Sequence, residues 1–298
     1  MEALFISVFR GLGTGSTYAL LAVGFVVVYK ATDVVNFAHP ALMILGTYTT
    51  SWFVWNAGFP FWVAVPTAMI VMGTVAALCE RIALRPMVGE QPFAAAMVTI
   101  GLFIILFPIA FRLIGTQVIT VGDPWGLERF ELFGARLYQV DLAKIIISLV
   151  AIGALAFFLK RSRFGLAMRA TALDQEVALG QGVNVGRVFG MSWAIAGAMA
   201  ALAGVLVGTG GGGVEATTAL VALKALPVII LGGLDSIEGT IYGGLIIGVA
   251  ESLTRTYQPE YFPWMGANFD VVVPYLIMVA VLMVRPYGLF GTKEVQRV

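Results

Sequence analysis

The residues of this 298-residue chain best placed to do chemistry are the few polar ones that interrupt long apolar runs. Lys224 stands in "TTALVALKALPVIILGG" and Glu251 in "GTIYGGLIIGVAESLTR", two consecutive late segments. A buried ion without a partner is costly, so the two are expected to pair; the sharper alternative is a Glu251 that takes up and releases protons during transport. The single histidine, His39, lies in "DVVNFAHPA", with Asn36 three residues before it and Pro40 directly after. Proline removes an amide donor and restricts the residue before it, so this segment reads either as a broken helix lining a path or as a kink whose stray carbonyls the histidine satisfies. Ser16, Thr17 and Tyr18, in the first apolar run, would line the same path or bridge helices. These groups can solvate a polar solute or pair with charge; none belongs to a bond-making motif. One histidine excludes an HExxH site, and no GxxxxGK[ST] or GxSxG sequence occurs. The lone Cys79 can form neither an internal disulfide nor a thiolate metal site. No catalytic residue, metal or bound cofactor is expected on this chain.

What must position these residues follows from composition. Hydrophobic residues make up 59% of the sequence, charged ones 12%, and the mean hydropathy is +0.93. That is more apolar surface than a soluble domain of this size can bury, so most of it must face lipid. A net charge of +1 with no basic face excludes a nucleic-acid binder. At about 20 apolar residues per crossing, the runs 4–29, 34–55, 61–80, 93–114, 141–160, 188–208, 217–234, 240–254 and 270–285 predict eight or nine spans. Runs 34–55, 217–234 and 240–254 are interrupted or short, which suits broken or re-entrant segments buried within protein. The expectation is an all-α polytopic bundle forming a single domain over residues 1–298, its first segment retained because its leading residues are acidic and its apolar stretch too long for a signal peptide.

Lysines and arginines orient the bundle. With the N-terminus outside, Lys30, Arg81, Arg85, Lys160, Arg161, Arg163, Arg169, Arg187, Arg285, Lys293 and Arg297 collect on the cytoplasmic side. Only Arg10, Arg112, Arg129, Arg136, Lys144 and Arg255 fall opposite, so the bias places the C-terminus in the cytoplasm. Connections 115–140 and 255–269 then face outward. Glycines inside the runs, as in "GLGTGSTYALLAVG" and "GGLIIG", are packing residues that let helices approach closely in lipid. A short similarity between "PALMILG" and "PVIILGG" fits the internal repeats of transporters.

The cytoplasmic stretch 160–187, "KRSRFGLAMRATALDQEVALGQGVNVGR", concentrates charge that the rest of the chain lacks. Asp174 can cap a short helix with Glu176 in its first turn, and Gly182 is placed to end it. By itself this reads equally well as an amphipathic loop held to anionic membrane lipid by its arginines. The residues "EVALGQG" from Glu176 match the spacing of the E-A-A-x-x-x-G loop of ABC importer permeases, with Val177 in place of the first alanine. The surrounding segment resembles the permease family for branched-chain amino acids, of the LivH type. So do "GLGTGSTYALLAVGFVVVYKATDVVNFAHPALMILGTY", "ALKALPVIILGGLDSIEGTIYGGLIIGVAE" and "VRPYGLFG", in family order over most of the chain. Pro40 departs from the pattern, standing where the family usually has glycine after "NFAH".

The resemblance implies a multi-pass subunit of a bacterial inner membrane that imports branched-chain amino acids or related small polar or carboxylate solutes. It implies a homologous second permease (LivM-like), two ATPase subunits that hold the ATP and magnesium, and a periplasmic binding protein that selects the solute. It makes the 160–187 loop a coupling element, with Gly165, Arg169, Ala170, Asp174, Glu176, Ala178 and Gly182 as its contact residues, and leaves Ser16, Tyr18, Asn36 and His39 as candidates for the path. An ion-coupled transporter centred on Lys224 and Glu251, or a passive channel, are the alternatives of a different class.

Overall fold

A computed structural model of the protein describes residues 1–291, so Lys293, Arg297 and the expected cytoplasmic C-terminus lie outside the described residues. The chain runs through α1 (Glu2–Thr32), α2 (His39–Trp55) and α3 (Phe61–Cys79), the last continuing as a π-helical turn, Glu80–Leu84, and a 3₁₀ turn, Arg85–Met87. It continues with α4 (Pro92–Ile114), the strands β1 (Arg129–Leu132) and β2 (Ala135–Tyr138), α5 (Gln139–Arg161), α6 (Arg163–Leu173), α7 (Gln175–Gly180) and α8 (Val185–Gly208). A 3₁₀ helix, Ala216–Lys224, leads into α9 (Ala225–Gly232), followed by α10 (Ile237–Tyr261) and α11 (Val273–Val284).

Among the described residues, five helical stretches are long and apolar enough to cross a bilayer: Glu2–Thr32, Phe61–Met87, Pro92–Ile114, Gln139–Arg161 and Val185–Gly208. Ala216–Gly232 and Ile237–Tyr261 qualify together as a sixth, bent by 117° between them. The chain is thus a mostly helical polytopic membrane protein, but length and composition do not reach the expected eight or nine spans. The shortfall has local causes. Residues 34–38 are not helical, and α2 begins only at His39, with Pro40 in its first turn, where a missing amide costs nothing. The first half of run 217–234 is 3₁₀, and Phe269–Val271 is a separate 3₁₀ turn that shortens α11 to 12 residues.

Within this mostly helical chain, connection 115–140 holds the two-stranded antiparallel hairpin β1–β2, with Arg129 opposite Tyr138 and Leu132 opposite Ala135. Its two-residue turn, Phe133 and Gly134, has φ of 50° and 80°, the left-handed pair that matches strand twist. Phe133 and Phe130 pack edge-on against Phe5 and Phe9 of α1, and Ile119 forms a backbone bridge with Val214. This connection is therefore tied to the bundle.

Helix α1 is the axis. Of its most apolar stretch 89% is buried, against 17% for that of α4 and 28% for that of α5, so the latter two lie at the outside of the bundle. Glycine makes the burial feasible: Gly11 and Gly15 on α1 meet Gly244 and Gly248 on α10, both pairs spaced to share a helix face. A methyl on Gly11 would fall 2.6 Å from Val249 Cα, and one on Gly15 2.5 Å from the Gly244 carbonyl. α8 seats against α2 and α3 the same way, where a methyl on Gly204 would meet the Met43 carbonyl at 2.6 Å and one on Gly197 the Met72 carbonyl at 2.6 Å.

Candidate functional site

Two constructions stand out, one at the end of the bundle carrying α6 and α7, the other inside the half nearer the hairpin. The first begins where α5 ends. Ser162 caps α6 by accepting a hydrogen bond from the Gly165 amide at 3.0 Å, and Gly165 lies so close under α5 that a side chain there would overlap the Leu159 carbonyl. Arg169 donates from Nη1 to that same Leu159 carbonyl at 3.0 Å, satisfying an acceptor that the helix end leaves free. Asp174 Oδ1 accepts from the Val177 amide at 2.9 Å and starts α7; Gly182, with φ of +81°, ends it, and Asn184 caps α8 through the Arg187 amide at 2.9 Å. From α3, Arg85 bridges Glu80, at 3.1 Å, to the Gly186 carbonyl, at 2.7 Å, and so braces the start of α8.

The sequence-derived contact set is divided: Arg169, Asp174, Glu176 and Gly182 are exposed. Gly165 and Ala178 are buried and Ala170 is half-buried, while Arg169 also holds α5 and Asp174 also caps α7. Large apolar side chains project outward beside them: Leu166 is 63% exposed, Leu173 88%, Val177 59% and Leu179 54%. Sequence reasoning missed these residues because it followed the charges. The available signal was four large aliphatic residues within a polar stretch bounded by capping motifs. Beside α6 lies a groove of about 660 Å³, bounded by the ends of α1 and α5 and the start of α10; a second, of about 330 Å³, carries Asp33, Glu80, Glu90, Asp174 and Glu176.

The second construction gathers ionisable groups from four parts of the chain. Lys224, the last residue of the 3₁₀ helix, places Nζ 2.7 Å from Glu251 Oε1. Tyr18 of α1 donates to Glu251 Oε2 at 3.0 Å and accepts from Lys224 Nζ at 3.2 Å. One turn along α10, Arg255 reaches Glu251 Oε1 at 3.0 Å and Asp270 Oδ2 at 2.7 Å, the latter on the turn before α11. The carboxylates of Glu251 and Asp270 are buried, with side chains 3% and 8% exposed, whereas Arg255 is 54% exposed and borders a cavity of about 410 Å³. Two cations alternate with two anions, and the set is neutral.

Other residues considered for the path lie apart from this cluster. Ser16 donates to the Leu12 carbonyl at 2.6 Å and Thr17 to the Gly13 carbonyl at 3.1 Å, so both hydroxyls bond within α1. His39 is fully buried, its ring 4.4 Å from that of Phe25 and in close contact with Gly24. Asn36 is buried too and accepts from the Ala38 amide at 3.0 Å, shaping the turn that opens α2. The structure brings Tyr18, Lys224 and Glu251 together, and Ser16, Asn36 and His39 lie apart from them. No group of three or more metal-ligating side chains occurs among the described residues.

Comparison with known proteins places this arrangement. The family model described as the branched-chain amino acid transport system, permease component, matches residues 7–282. The high-affinity branched-chain amino acid transport system permease protein LivH of Salmonella typhimurium is 32% identical, the match covering 97% of this chain and 96% of that protein. BraD of Pseudomonas aeruginosa, another such permease, is 29% identical over the same shares. Among solved structures, PsaBC from Streptococcus pneumoniae in complex with Fab is similar in fold, with a TM-score of 0.50 at 13% identity, covering 96% of this chain and 93% of that one.

Proposed function

The chain belongs to the family of branched-chain amino acid transport permeases, and from that premise we propose that it carries branched-chain amino acids, or related small polar and carboxylate solutes, inward across a bacterial inner membrane. It is not itself an enzyme. As a permease component of an ABC importer it depends on partner subunits for ATP hydrolysis, and the nucleotide and its magnesium belong there. Our reading pairs the chain with a LivM-like second permease, two ATPase subunits and a periplasmic binding protein. Residues 1–298 form one permease domain, with the N-terminus and hairpin outside and the elbow of residues 160–187 in the cytoplasm.

The observation that carries this reading is the elbow. A flexible loop would transmit no force, but α6 and α7 are fastened at both ends: onto α5 by Gly165 and Arg169, and onto α8 by Asn184 and the Arg85 brace. The exposed Leu166 and Leu173, seven residues apart on one face of α6, suit a groove on an ATPase subunit, as amphipathic helices dock elsewhere, and Val177 and Leu179 are exposed on α7 beside them. Arg163 and Glu176, exposed beside them, are available to set the register of docking. Closure of the nucleotide-binding partners would then push on α5 and α8 directly.

The test is Leu173→Asp together with Val177→Asp in the assembled transporter. A leucine buried at an interface contributes about 1.5–3 kcal/mol, so each change should weaken ATPase association roughly 10-fold or more while membrane insertion is retained. Copurification of the ATPase and ATP-driven uptake should fall together. Undiminished uptake by the double variant would remove the elbow from the mechanism. An ion-coupled carrier or a channel would show uptake independent of ATP and of any binding protein.

A further inference from the structure

A lone lysine and a lone glutamate inside a membrane need only each other, yet here Glu251 Oε1 accepts from both Lys224 and Arg255 while Tyr18 holds Oε2. Arg255 also engages Asp270 through Nε, at 2.8 Å, and Nη2. Its Nη1 is not engaged among the described residues, and the side chain is half open to the 410 Å³ cavity that Gln258, Ala267 and Asn268 also line. Measured along α10, Arg255 lies about 9 Å and Glu251 about 15 Å from the helix end, so the row of charges runs from that cavity inward along the helix. A purely structural ion pair explains neither the half-open arginine nor the second carboxylate.

We propose that Tyr18, Lys224, Glu251, Arg255 and Asp270 form a transient binding site for the ammonium and carboxylate of a zwitterionic amino acid. The inference rests on the permease reading above and adds to it the location and chemical class of an intramembrane solute site. The solute carboxylate docks on the guanidinium of Arg255, which can hold it with two parallel hydrogen bonds. Asp270, released from the arginine, accepts the ammonium. Each charge in the row exchanges a protein partner for a solute partner of the same sign, so no ion is left unpaired at any stage, and the penalty that bars charges from low dielectric is avoided. One step deeper, Lys224 and Glu251 offer the same alternation. A carboxylate without an ammonium would strand Asp270, and an ammonium without a carboxylate would leave Arg255 short of an anion. The row therefore favours solutes carrying both charges, and the cavity is within the usual size range of small-molecule sites.

The test uses the complete transporter, with Cys79→Ser and a cysteine introduced by Ala267→Cys at the cavity wall, in sealed vesicles exposing the hairpin side. The rate of labelling by a charged, membrane-impermeant thiol reagent is measured with leucine, with leucinamide, which lacks the carboxylate, and with isocaproate, which lacks the ammonium. Leucine should slow labelling at least 3-fold and the two analogues should not; adding Arg255→Gln should abolish the protection by leucine. Equal protection by all three compounds, or by none, would overturn the proposal, and so would protection that survives Arg255→Gln. Uptake by the same vesicles is followed in parallel. ATP-driven uptake without leucine-specific protection sinks the site alone, whereas absence of any ATP-driven uptake sinks the permease reading beneath it.

Discussion

At the scale of single residues, the Lys224–Glu251 contact makes a prediction that depends on its neighbours. Breaking a buried pair by removing one member costs about 3–5 kcal/mol when the survivor has no other partner. Lys224→Met leaves Glu251 bonded to Arg255 and Tyr18, while Glu251→Gln leaves Lys224 with no carboxylate, only the Tyr18 hydroxyl, and Arg255 with Asp270. Glu251→Gln should therefore reduce thermal stability in detergent more than Lys224→Met. The double variant should recover part of the loss, because the two cations no longer compete for one carboxylate. Melting temperatures of all three variants equal to that of the unaltered protein would show that the contact contributes nothing. The lysine and glutamate stand out in the sequence because each interrupts an apolar run, and Tyr18 because it does so in the first. Arg255 and Asp270 do not: they sit at the ends of runs, where charge is ordinary. Only the return of the chain through residues 262–270 brings the second carboxylate back onto α10. His39 shows the reverse, a residue conspicuous by its rarity that the fold buries beside Phe25, apart from the charged cluster.

At the scale of elements, the crossing of α1 with α10 depends on the absence of side chains. Gly15→Ala puts a methyl 2.5 Å from the Gly244 carbonyl, and overpacking of this kind costs about 1–3 kcal/mol. Gly101→Ala on α4 and Gly153→Ala on α5 meet nothing within 4 Å and should be neutral or mildly stabilising through helix propensity. Melting curves of the three purified variants decide it; a Gly15→Ala protein as stable as the other two would mean that the helices are not in direct backbone contact. That such glycines serve packing is readable from their spacing inside apolar runs. Which helices they join is not, since α1 and α10 are more than 200 residues apart in sequence and small faces are interchangeable partners until the bundle forms. Apolar runs likewise locate the helices well. They do not disclose that Ala216–Lys224 winds as 3₁₀ or that the end of α3 loosens into a π turn, because both depend on tertiary partners, among them the Glu80–Arg85 brace to α8.

At the scale of the whole molecule, the two ends of the bundle differ in kind. One end is closed by a hairpin that packs aromatic rings on α1, the other carries the elbow and its two grooves. With the elbow in the cytoplasm, Leu173→Cys in a Cys79→Ser background should react with an impermeant thiol reagent in inside-out vesicles stripped of the ATPase subunits and be silent in right-side-out ones. The opposite pattern would invert the molecule and detach the elbow from any ATPase. One more consequence follows from the encasement of α1. This segment leaves the ribosome well before α10, the helix whose glycines it needs. During synthesis its glycine stripe must therefore wait against lipid or an insertion factor, and a nascent chain halted before residue 237 should be a substrate for membrane quality-control proteolysis, whereas one halted after residue 261 should survive.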